Sequence, residues 1–303
     1  MNLDLRVAAE DYVRQRRARG YKFVDSGALL VAFAEELHDR RIERVTVAEA
    51  LAFAQRSRRA SRSTHARRLG VIRNWTVWLR ATDPAAAEVL APGLIRDGYQ
   101  RVNPYLYSEA QTLQLMEAAR QLQPGFLAEA MYVLIGLLYV TGLRSGEAFS
   151  LSVGDFDQDQ LVLHVKGKLD RRRLVPVRPS TADKLNEYCG ERRSGPLLVG
   201  PKGGPIAHST VQAAFRRLVL DCELVPQPGA RHPRLHDFRH SLAVDTLVEA
   251  HRHGLDVDGR LAVLSTFLGH ADALNTYWYL TASPELMAVV SDRIAASLGR
   301  WTS

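Results

Sequence analysis

One β-rich stretch in an otherwise helical sequence limits the folds open to this chain. Within residues 161–177, LVLHV and RLVPV are short β-prone runs separated by the polar, basic segment KGKLDRR. Two such runs joined by a short polar segment predict a hairpin. The sequence on both sides carries helical patterns instead. We therefore expect a mainly α fold with a small β-sheet (α+β).

The helical patterns lie on both sides of a segment with little apolar content. Residues 1–96 predict an all-helical region, with TVAE at 46–49 in capping-box spacing. DGYQRVNP at 97–104 contains Gly, Asn and Pro and predicts a linker. SEAQ at 108–111 has capping-box spacing too, before helix-like sequence that runs to about Tyr139. Further helical patterns follow at 180–192, 209–222, 237–252, 259–268 and 284–299.

Length and composition allow a protein of two domains. The chain has 303 residues, of which 46% are hydrophobic, so it can bury substantial cores. We expect a helical domain at 1–96, a linker at 97–104 and a larger domain at 105–303. Cys189 and Cys222 cannot form a disulfide framework, which favours a reducing compartment.

The apolar segments indicate no targeting signal and no membrane span. The N-terminus MNLDLRVAAEDYVRQRR lacks an apolar signal core, and the longest apolar run, MYVLIGLLYV at 131–140, is too short to cross a bilayer. We predict a buried helix for this run, a cytoplasmic protein and no membrane partner.

A run of arginines indicates a polyanionic partner. The net charge is +7, and the segment 55–80 carries eight arginines and no acidic residue. A solvated helix face would be an ordinary explanation of a charge run. However, uncompensated arginines repel one another within a Debye length of about 8 Å, and a nucleic-acid backbone relieves that repulsion. The predicted DNA contacts are Arg58, Arg59, Arg62, Arg67, Arg68 and Arg73. Trp75 and Trp78, three residues apart, are expected in the core.

Two further stretches place cations where a ligand could meet them. In TGLRSGEA at 141–148, two glycines surround Arg144, which suits a helix start with close backbone approach. An ordinary surface arginine is the alternative. KGKLDRRR at 166–173 puts five basic residues at the tip of the predicted hairpin. Such a tip is commonly only solvated, but it can also reach a groove and deliver one ammonium to a buried atom.

The stretch LHDFRH at 235–240 combines histidines with an arginine. On a helix, His236, Arg239 and His240 share one face, since neighbours at i, i+3 and i+4 adjoin. Histidines at i, i+4 resemble a zinc pattern, but Asp237 follows the first one and Arg239 would place a cation beside the metal. Histidine and arginine together suit an anion better, because both donate to phosphate oxygens.

The last stretch, LGHADALNTYWYL at 268–280, contains His270 and two tyrosines, Tyr277 and Tyr279. A single tyrosine is more often part of a core than a nucleophile. Arginines, a lysine, histidines and a tyrosine together, however, provide what attack of a phenol on a phosphodiester requires. Guanidinium groups stabilise the charge of the transition state, and a lysine or histidine can protonate the leaving oxygen. No metal or cofactor is needed.

These motifs together resemble the tyrosine recombinases of the phage integrase family, which includes the Xer and Cre recombinases. TGLRSGE resembles the first arginine motif, and LHDFRH resembles the H-x-L-R-H box, with Phe238 where leucine is usual. LGH followed nine residues later by Tyr279 resembles the final motif. The motifs cover about 103–285, and the arginine-rich N-terminal region resembles the family's core-binding domain more loosely.

The resemblance implies a role for each matching residue. Arg144 and Arg239 would hold the scissile phosphate, and His236 would assist proton transfer. Lys168, rather than Lys166, would be the general acid, since the family's lysine lies eight residues before the position that Pro176 occupies in RLVP. The remaining implied roles are a phosphate hydrogen bond from His270, orientation of the first arginine by Glu147, nucleophilic attack by Tyr279, and structural roles for His240, Tyr277 and Trp278.

The implied activity is site-specific DNA recombination through a 3′-phosphotyrosyl intermediate, in integration, excision or resolution of DNA elements. The implied partners are double-stranded DNA and a homotetramer on two DNA sites, with further partner recombinases left open. The C-terminal helix at 284–299 would pack in cis or dock on a neighbouring subunit. Three alternatives remain: resealing of the type IB topoisomerase kind, DNA binding without catalysis, and a zinc hydrolase using His236, His240 and His270.

Overall fold

The computed structural model describes residues 4–96, 103–167, 171–226 and 231–269. It divides into two compact units, 1–101 and 102–303. The elements are helices in both units and, in the described part of the second, a three-stranded sheet. This confirms the predicted fold class. Within the described ranges, no helix has both the length and the apolar character that crossing a bilayer needs.

In its described residues, 4–96, the first unit consists of four helices around one apolar core. They are α1 (Leu5–Ala18), α2 (Val24–Asp39), α3 (Val47–Gln55) and α4 (Arg62–Thr82). The N-terminal caps of α1, α3 and α4 are hydrogen bonds to side chains of Asp4, Thr46 and Ser61, which satisfy backbone N–H groups that the helix itself leaves unpaired.

The core of the first unit is centred on aromatic rings. Trp75 is fully buried, with its ring centroid 6.2 Å from that of Phe33 in an edge-on arrangement. Trp78 is partly buried against the same core, and its indole N–H donates to Gln15 at 3.1 Å. Both tryptophans therefore lie where the sequence predicts them.

The second unit begins with a helical hairpin. Helix α5 (Glu109–Arg120) starts with the predicted capping box between Ser108 and Gln111, and α6 spans Gly125–Thr141. The sequence predicted one helical pattern to about Tyr139, whereas the structure breaks it before Pro124. A proline disfavours the helical conformation of the residue before it and lacks the N–H that a helix interior needs.

The predicted hairpin is present and belongs to a three-stranded antiparallel sheet. Strands β1 (Phe156–Asp157), β2 (Val162–Lys166) and β3 (Arg172–Pro176) lie in that order. Val165 pairs with Arg173, and the Gly167 N–H donates to the carbonyl of Arg171 at 2.8 Å beyond the last strand pair. The inward-facing Leu163, Val165 and Val175 pack in the core of the second unit.

The remaining helices cover this core and carry the motifs. The apolar run at 131–140 lies in α6, whose residues Met131, Leu134 and Leu138 are fully buried. A smaller apolar cluster joins the last two described helices. The further helices are α7 (Ser145–Ser150), α8 (Pro179–Cys189), α9 (His208–Asp221), α10 (Asp237–Arg252) and α11 (Val257–Leu268).

Candidate active site

The first arginine motif turns the chain from α6 into α7. Gly142 ends α6 in the left-handed conformation, with φ of 58°. A Cβ atom there would lie 2.8 Å from Leu242 and 2.9 Å from Leu268, so a larger residue would clash as well as be strained. Arg144 then caps the start of α7, as its motif predicts. Its side chain is 29% exposed.

The carboxylate of Glu147 connects two arginines. Its Oε1 accepts from Arg144 Nη1 at 2.7 Å, and its Oε2 accepts from the Arg144 backbone N–H at 3.0 Å. Arg173 donates to both oxygens, from Nη1 at 3.1 Å and from Nη2 at 2.8 Å. Burial alone would raise the pKa of Glu147, but the hydrogen bonds from Arg173 and Arg144 outweigh it and lower that pKa to about 2. Glu147 is therefore ionised and orients both guanidinium groups.

Sequence reasoning missed Arg173. It lies on β3, the two arginines before it, Arg171 and Arg172, are exposed, and nothing in the run of three arginines distinguishes it from them. In the structure its side chain is only 13% exposed. Alternation along the strand directs Arg173 and Val175 to the same face, and this was the available signal.

The second predicted arginine, Arg239, lies on the first turn of α10. Its side chain is 1% exposed. The guanidinium donates from Nη1 to the carbonyl of Gly142 at 2.9 Å and from Nη2 to that of Leu268 at 2.7 Å. Arg239 thus joins the end of α6 to the end of α11, and the motifs that contain Arg144 and Arg239 meet in the fold.

The C-terminal end of α11 is the common acceptor for all three arginines. Three consecutive carbonyl oxygens, those of Phe267, Leu268 and Gly269, accept from Arg173 Nε at 3.0 Å, Arg239 Nη2 at 2.7 Å and Arg144 Nη2 at 3.3 Å. The last carbonyls of a helix lack partners within it and carry partial negative charge, so they attract cations. The end of one helix therefore positions three guanidinium groups side by side.

His236 lies beside these arginines as the N-terminal cap residue of α10. Burial is the main cause that lowers its pKa, and the positive charges of Arg239, Arg234 and Arg144 lower it further, to about 4. The imidazole is therefore neutral near pH 7 and can accept a proton. Its ring centroid lies 5.0 Å from that of His240, which places both histidines on one face, as predicted.

The start of α10 is held by neighbouring contacts. Asp237 is fully buried and accepts from Arg234, at 2.8 Å from Nη2 and 3.0 Å from the backbone N–H. The ring of Tyr107 stacks on Phe238 with centroids 4.1 Å apart, and its hydroxyl donates to the Arg234 carbonyl at 3.1 Å. These contacts fix the backbone that carries His236 and Arg239.

Several predictions lie outside the described residues. They are Lys168, His270, Tyr277, Trp278, Tyr279, the linker residues 97–102 and the helical pattern at 284–299. Within the described ranges, no three metal-ligating side chains come together, while the third histidine of the zinc alternative, His270, is among the undescribed residues.

Two glycines bring the chain to the site immediately before two of these residues. A Cβ atom on Gly167 would lie 3.6 Å from Glu147 Oε1. Gly269 has φ of 66°, its carbonyl accepts from Arg144, and a Cβ atom there would lie 2.9 Å from Arg173 Cδ. Lys168 and His270 follow these positions directly in the sequence.

The arginine run of the first unit has a different environment. Arg58, Arg59, Arg62 and Arg67 are exposed, and Arg68 and Arg73 are partly exposed. Two other arginines of the run are used within the fold. Arg56 lies 3.5 Å from Glu36 and 4.1 Å from the Phe53 ring centroid, and Arg80 donates to the Pro84 and Ala87 carbonyls. The idea that all eight are uncompensated is therefore wrong for Arg56.

Comparison with known proteins decides the family. The sequence pattern described as the phage integrase family matches residues 106–285. This chain belongs to the phage integrase family. A relative from Sinorhizobium fredii, the putative integrase/recombinase y4rB, is 35% identical over 310 residues, covering 98% of each chain. The tyrosine recombinase XerC of Mycobacterium leprae is 28% identical over 244 residues, 77% of each chain.

Solved structures of recombinases share the fold of this integrase family member. A pre-cleavage complex of the XerH recombinase with its difH substrate is 18% identical with a TM-score of 0.64, covering 90% of this chain and 81% of XerH. The Tn1549 transposon integrase in complex with transposon right end DNA is 16% identical with a TM-score of 0.63, covering 95% and 99% of the two chains. The predicted family and enzyme class, tyrosine recombinase, are thus confirmed.

Proposed function

We propose that this integrase family member cleaves and rejoins DNA at specific sites through a 3′-phosphotyrosyl intermediate. The observation that carries the proposal is that Arg144 and Arg239 meet at the end of α11, with His236 close enough for their positive charges to lower its pKa. The arrangement combines fixed positive charge with a neutral base. A transition state that gains negative charge on a phosphate is stabilised by such preorganised donors.

The proposed chemistry assigns each step to one residue. His236, as neutral imidazole, accepts the phenolic proton while the oxygen of Tyr279 attacks the phosphorus. The bond from phosphorus to the 5′-oxygen breaks, and Lys168 protonates that leaving oxygen. Arg144, Arg239 and His270 bind the non-bridging oxygens. A 5′-hydroxyl of a partner strand then attacks the phosphotyrosine in the reverse sense, so each step exchanges one phosphodiester for another.

Arg144 and Arg239 differ in access to a phosphate. The guanidinium of Arg144 is partly exposed, while Arg239 is almost wholly buried with its Nη atoms on two carbonyls. We infer that DNA reaches Arg144 first and that contact with Arg239 requires its surroundings to open. The free energy needed to open the surroundings of Arg239 would be offset by the charge-assisted hydrogen bonds that its guanidinium forms with the phosphate.

DNA binding outside the active site is assigned to the arginine run of the first unit. Arg58, Arg59, Arg62 and Arg67 are exposed, and no acidic side chain in the described ranges lies within ion-pair distance of them. The XerH recombinase, which has the same fold, was solved bound to its DNA substrate, which supports DNA binding by this chain. We further propose a homotetramer on two DNA sites, in the cytoplasm.

Covalent trapping tests the proposal. The protein is incubated without metal with nicked duplex fragments of the DNA that flanks its own gene, and adducts that survive SDS are mapped to a residue. We expect an adduct in the wild-type protein and in Tyr277→Phe, and none in Tyr279→Phe. Tyr277 is the matched control because it would point about 200° away from Tyr279 on a helix.

The other outcomes identify the alternatives. An adduct on Tyr277 would contradict the assigned nucleophile. If the cleaved strand in the adduct is only rejoined to its original end, and never to a second duplex, the activity is of the topoisomerase kind. DNA binding without any adduct would favour a protein that has lost catalysis.

A further inference from the structure

The described residues contain an arginine that no motif assigns and that contacts both the carboxylate and the helix end to which Arg144 is bound. Arg173 donates from three nitrogen atoms, to both oxygens of Glu147 and to the carbonyl of Phe267. Its side chain is mostly buried. We propose that Arg173 is a positioning residue, which holds Glu147 and the end of α11 in the arrangement that presents Arg144 to the scissile phosphate.

The first argument is geometric. Glu147 must accept from Arg144 while it remains buried at 6% exposure. A carboxylate that bound Arg144 alone could move with that partly exposed guanidinium. Arg173 prevents this because its fork binds both carboxylate oxygens, and a bidentate pair fixes the plane of the carboxylate as well as its distance. The orientation of Arg144 is thus set by a second arginine.

The second argument concerns what Arg173 connects. It lies on β3, opposite Val165 of β2, so it belongs to the hairpin whose tip includes Lys168. Through the Phe267 carbonyl it also reaches the last turn of α11, which precedes His270. One side chain therefore joins the hairpin, the carboxylate and the helix end.

The third argument is that Arg173 is less accessible to a phosphate than Arg144 is. All three of its nitrogen atoms already donate within the protein, whereas Arg144 is the more exposed of the two. Gly269 supports the same arrangement, since any Cβ atom there would collide with the Arg173 side chain. The lack of a side chain at Gly269 leaves room for the guanidinium between the strand and the helix end.

The kinetic test rests on the proposed function. Adduct formation is measured at saturating protein on the nicked duplex that reacts with the wild-type protein, and duplex affinity is measured separately by fluorescence anisotropy. We expect Arg173→Ala to lower the single-turnover rate about 100-fold, as a displaced reacting geometry does, with little change in affinity. Arg173→Lys should not restore the rate, because an ammonium cannot form the bidentate pair.

Arg172→Ala is the matched control. It removes the same charge from the adjacent, exposed position on the opposite face of β3, so it measures the effect of lost charge near DNA. A merely structural role would lower the fraction of active protein and leave the rate constant of the folded fraction unchanged. Arg173→Lys keeps the charge and the aliphatic stem, so the test can still be made with this variant if Arg173→Ala does not fold. A rate constant of Arg173→Ala equal to that of Arg172→Ala would overturn the proposal.

A second measurement separates this inference from the proposed function. Inorganic phosphate is titrated into the protein while the Arg144 Nε resonance is followed by NMR, with Arg144→Ala used to assign it. We expect saturable binding in the wild-type protein and roughly tenfold weaker binding in Arg173→Ala, the loss of about one charge-assisted hydrogen bond. If no adduct forms with any DNA, the proposed function fails, yet this titration still decides the inference. Equal phosphate affinity, or no effect of phosphate on Arg144 in the wild-type protein, would overturn it.

Discussion

Two sets of arginines, one in each unit of this protein, lie in opposite environments. In the first unit, Arg58, Arg59 and Arg62 are exposed around the start of α4. In the second, Arg144, Arg173 and Arg239 have no more than 29% of their side chains exposed, and each donates to a carbonyl at the end of α11. The same residue type is solvated in the first set and held in place in the second.

The difference follows from what each set is proposed to bind. A DNA backbone is a long array of charges, and exposed side chains can meet it at many positions without losing hydration beforehand. A single phosphate in a transition state demands donors that are already oriented, since reorganisation during the reaction costs rate. Burial and fixed hydrogen bonds provide that orientation, at the expense of desolvating the guanidinium groups.

The largest contrast is expected between Arg239→Ala and Arg62→Ala. Loss of Arg239 leaves the buried carbonyls of Gly142 and Leu268 without these donors and creates a cavity, so we expect the free energy of unfolding to fall by about 2–4 kcal/mol. Adduct formation should fall at least roughly 1,000-fold. Arg62→Ala should change the free energy of unfolding by no more than about 0.5 kcal/mol.

Urea denaturation of both variants measures this contrast, with adduct formation followed on the same samples. A stability of Arg239→Ala equal to or above that of the wild-type protein would contradict the view that the buried guanidinium is stabilised by its two carbonyls. The free energy gained by no longer burying a charged guanidinium would then exceed the free energy lost with its two hydrogen bonds.

The pH dependence of stability tests the charge within the site. The pKa of Glu147 is about 2 in the folded protein and 4.5 for an ordinary carboxyl, so the folded state binds this proton less tightly. The stabilisation is present in full above about pH 5 and is lost as the pH falls towards 2, with about 2 kcal/mol lost by pH 3. Urea unfolding of the wild-type protein and Glu147→Gln should therefore differ less at pH 3 than at pH 6. A difference that stays constant would show that the carboxylate is not held by Arg173 and Arg144.

The smallest expected effects are those of the exposed arginines. Each of Arg58→Ala, Arg59→Ala and Arg62→Ala should reduce the slope of log affinity against log salt for duplex DNA by about one, because each removes one phosphate contact. Anisotropy titrations between 50 and 200 mM salt, which are ordinary conditions for such slopes, measure this. Arg40→Ala is the control, since its guanidinium is paired with Glu49 at 2.5 Å. An equal loss of slope in that variant would mean that overall charge, rather than this surface, binds DNA.

Local sequence signals predicted much of the fold. The SEAQ capping box starts α5, the two β-prone runs pair as β2 and β3, and α10 has the predicted bounds 237–252. Each signal acts over a few residues, through a cap, an alternation or a helical period, so no distant contact is needed to interpret it. The helical pattern predicted to run to about Tyr139 forms two helices rather than one because it is interrupted before Pro124.

The same distinction between local signals and distant contacts applies to the residues of the candidate site. The motifs predicted that Arg144, His236 and Arg239 act on one phosphate, and the structure brings the three side chains close together. Arg173 could not be recognised as part of the site from the RRR run. What distinguishes it from its neighbours is its contacts with Glu147 and Phe267, which are 26 and 94 residues away in the sequence.

The sequence by itself determined the residue types of the site, the helical architecture and the hairpin, since these depend on local chemistry and periodicity. Tertiary structure alone decided which cations are buried and what they contact. The three arginines come from the start of α7, from β3 and from α10, and they meet because the end of α11 offers three successive carbonyls. A helix end attracts cations wherever it is placed, but only the packing of the second unit determines which ones it receives.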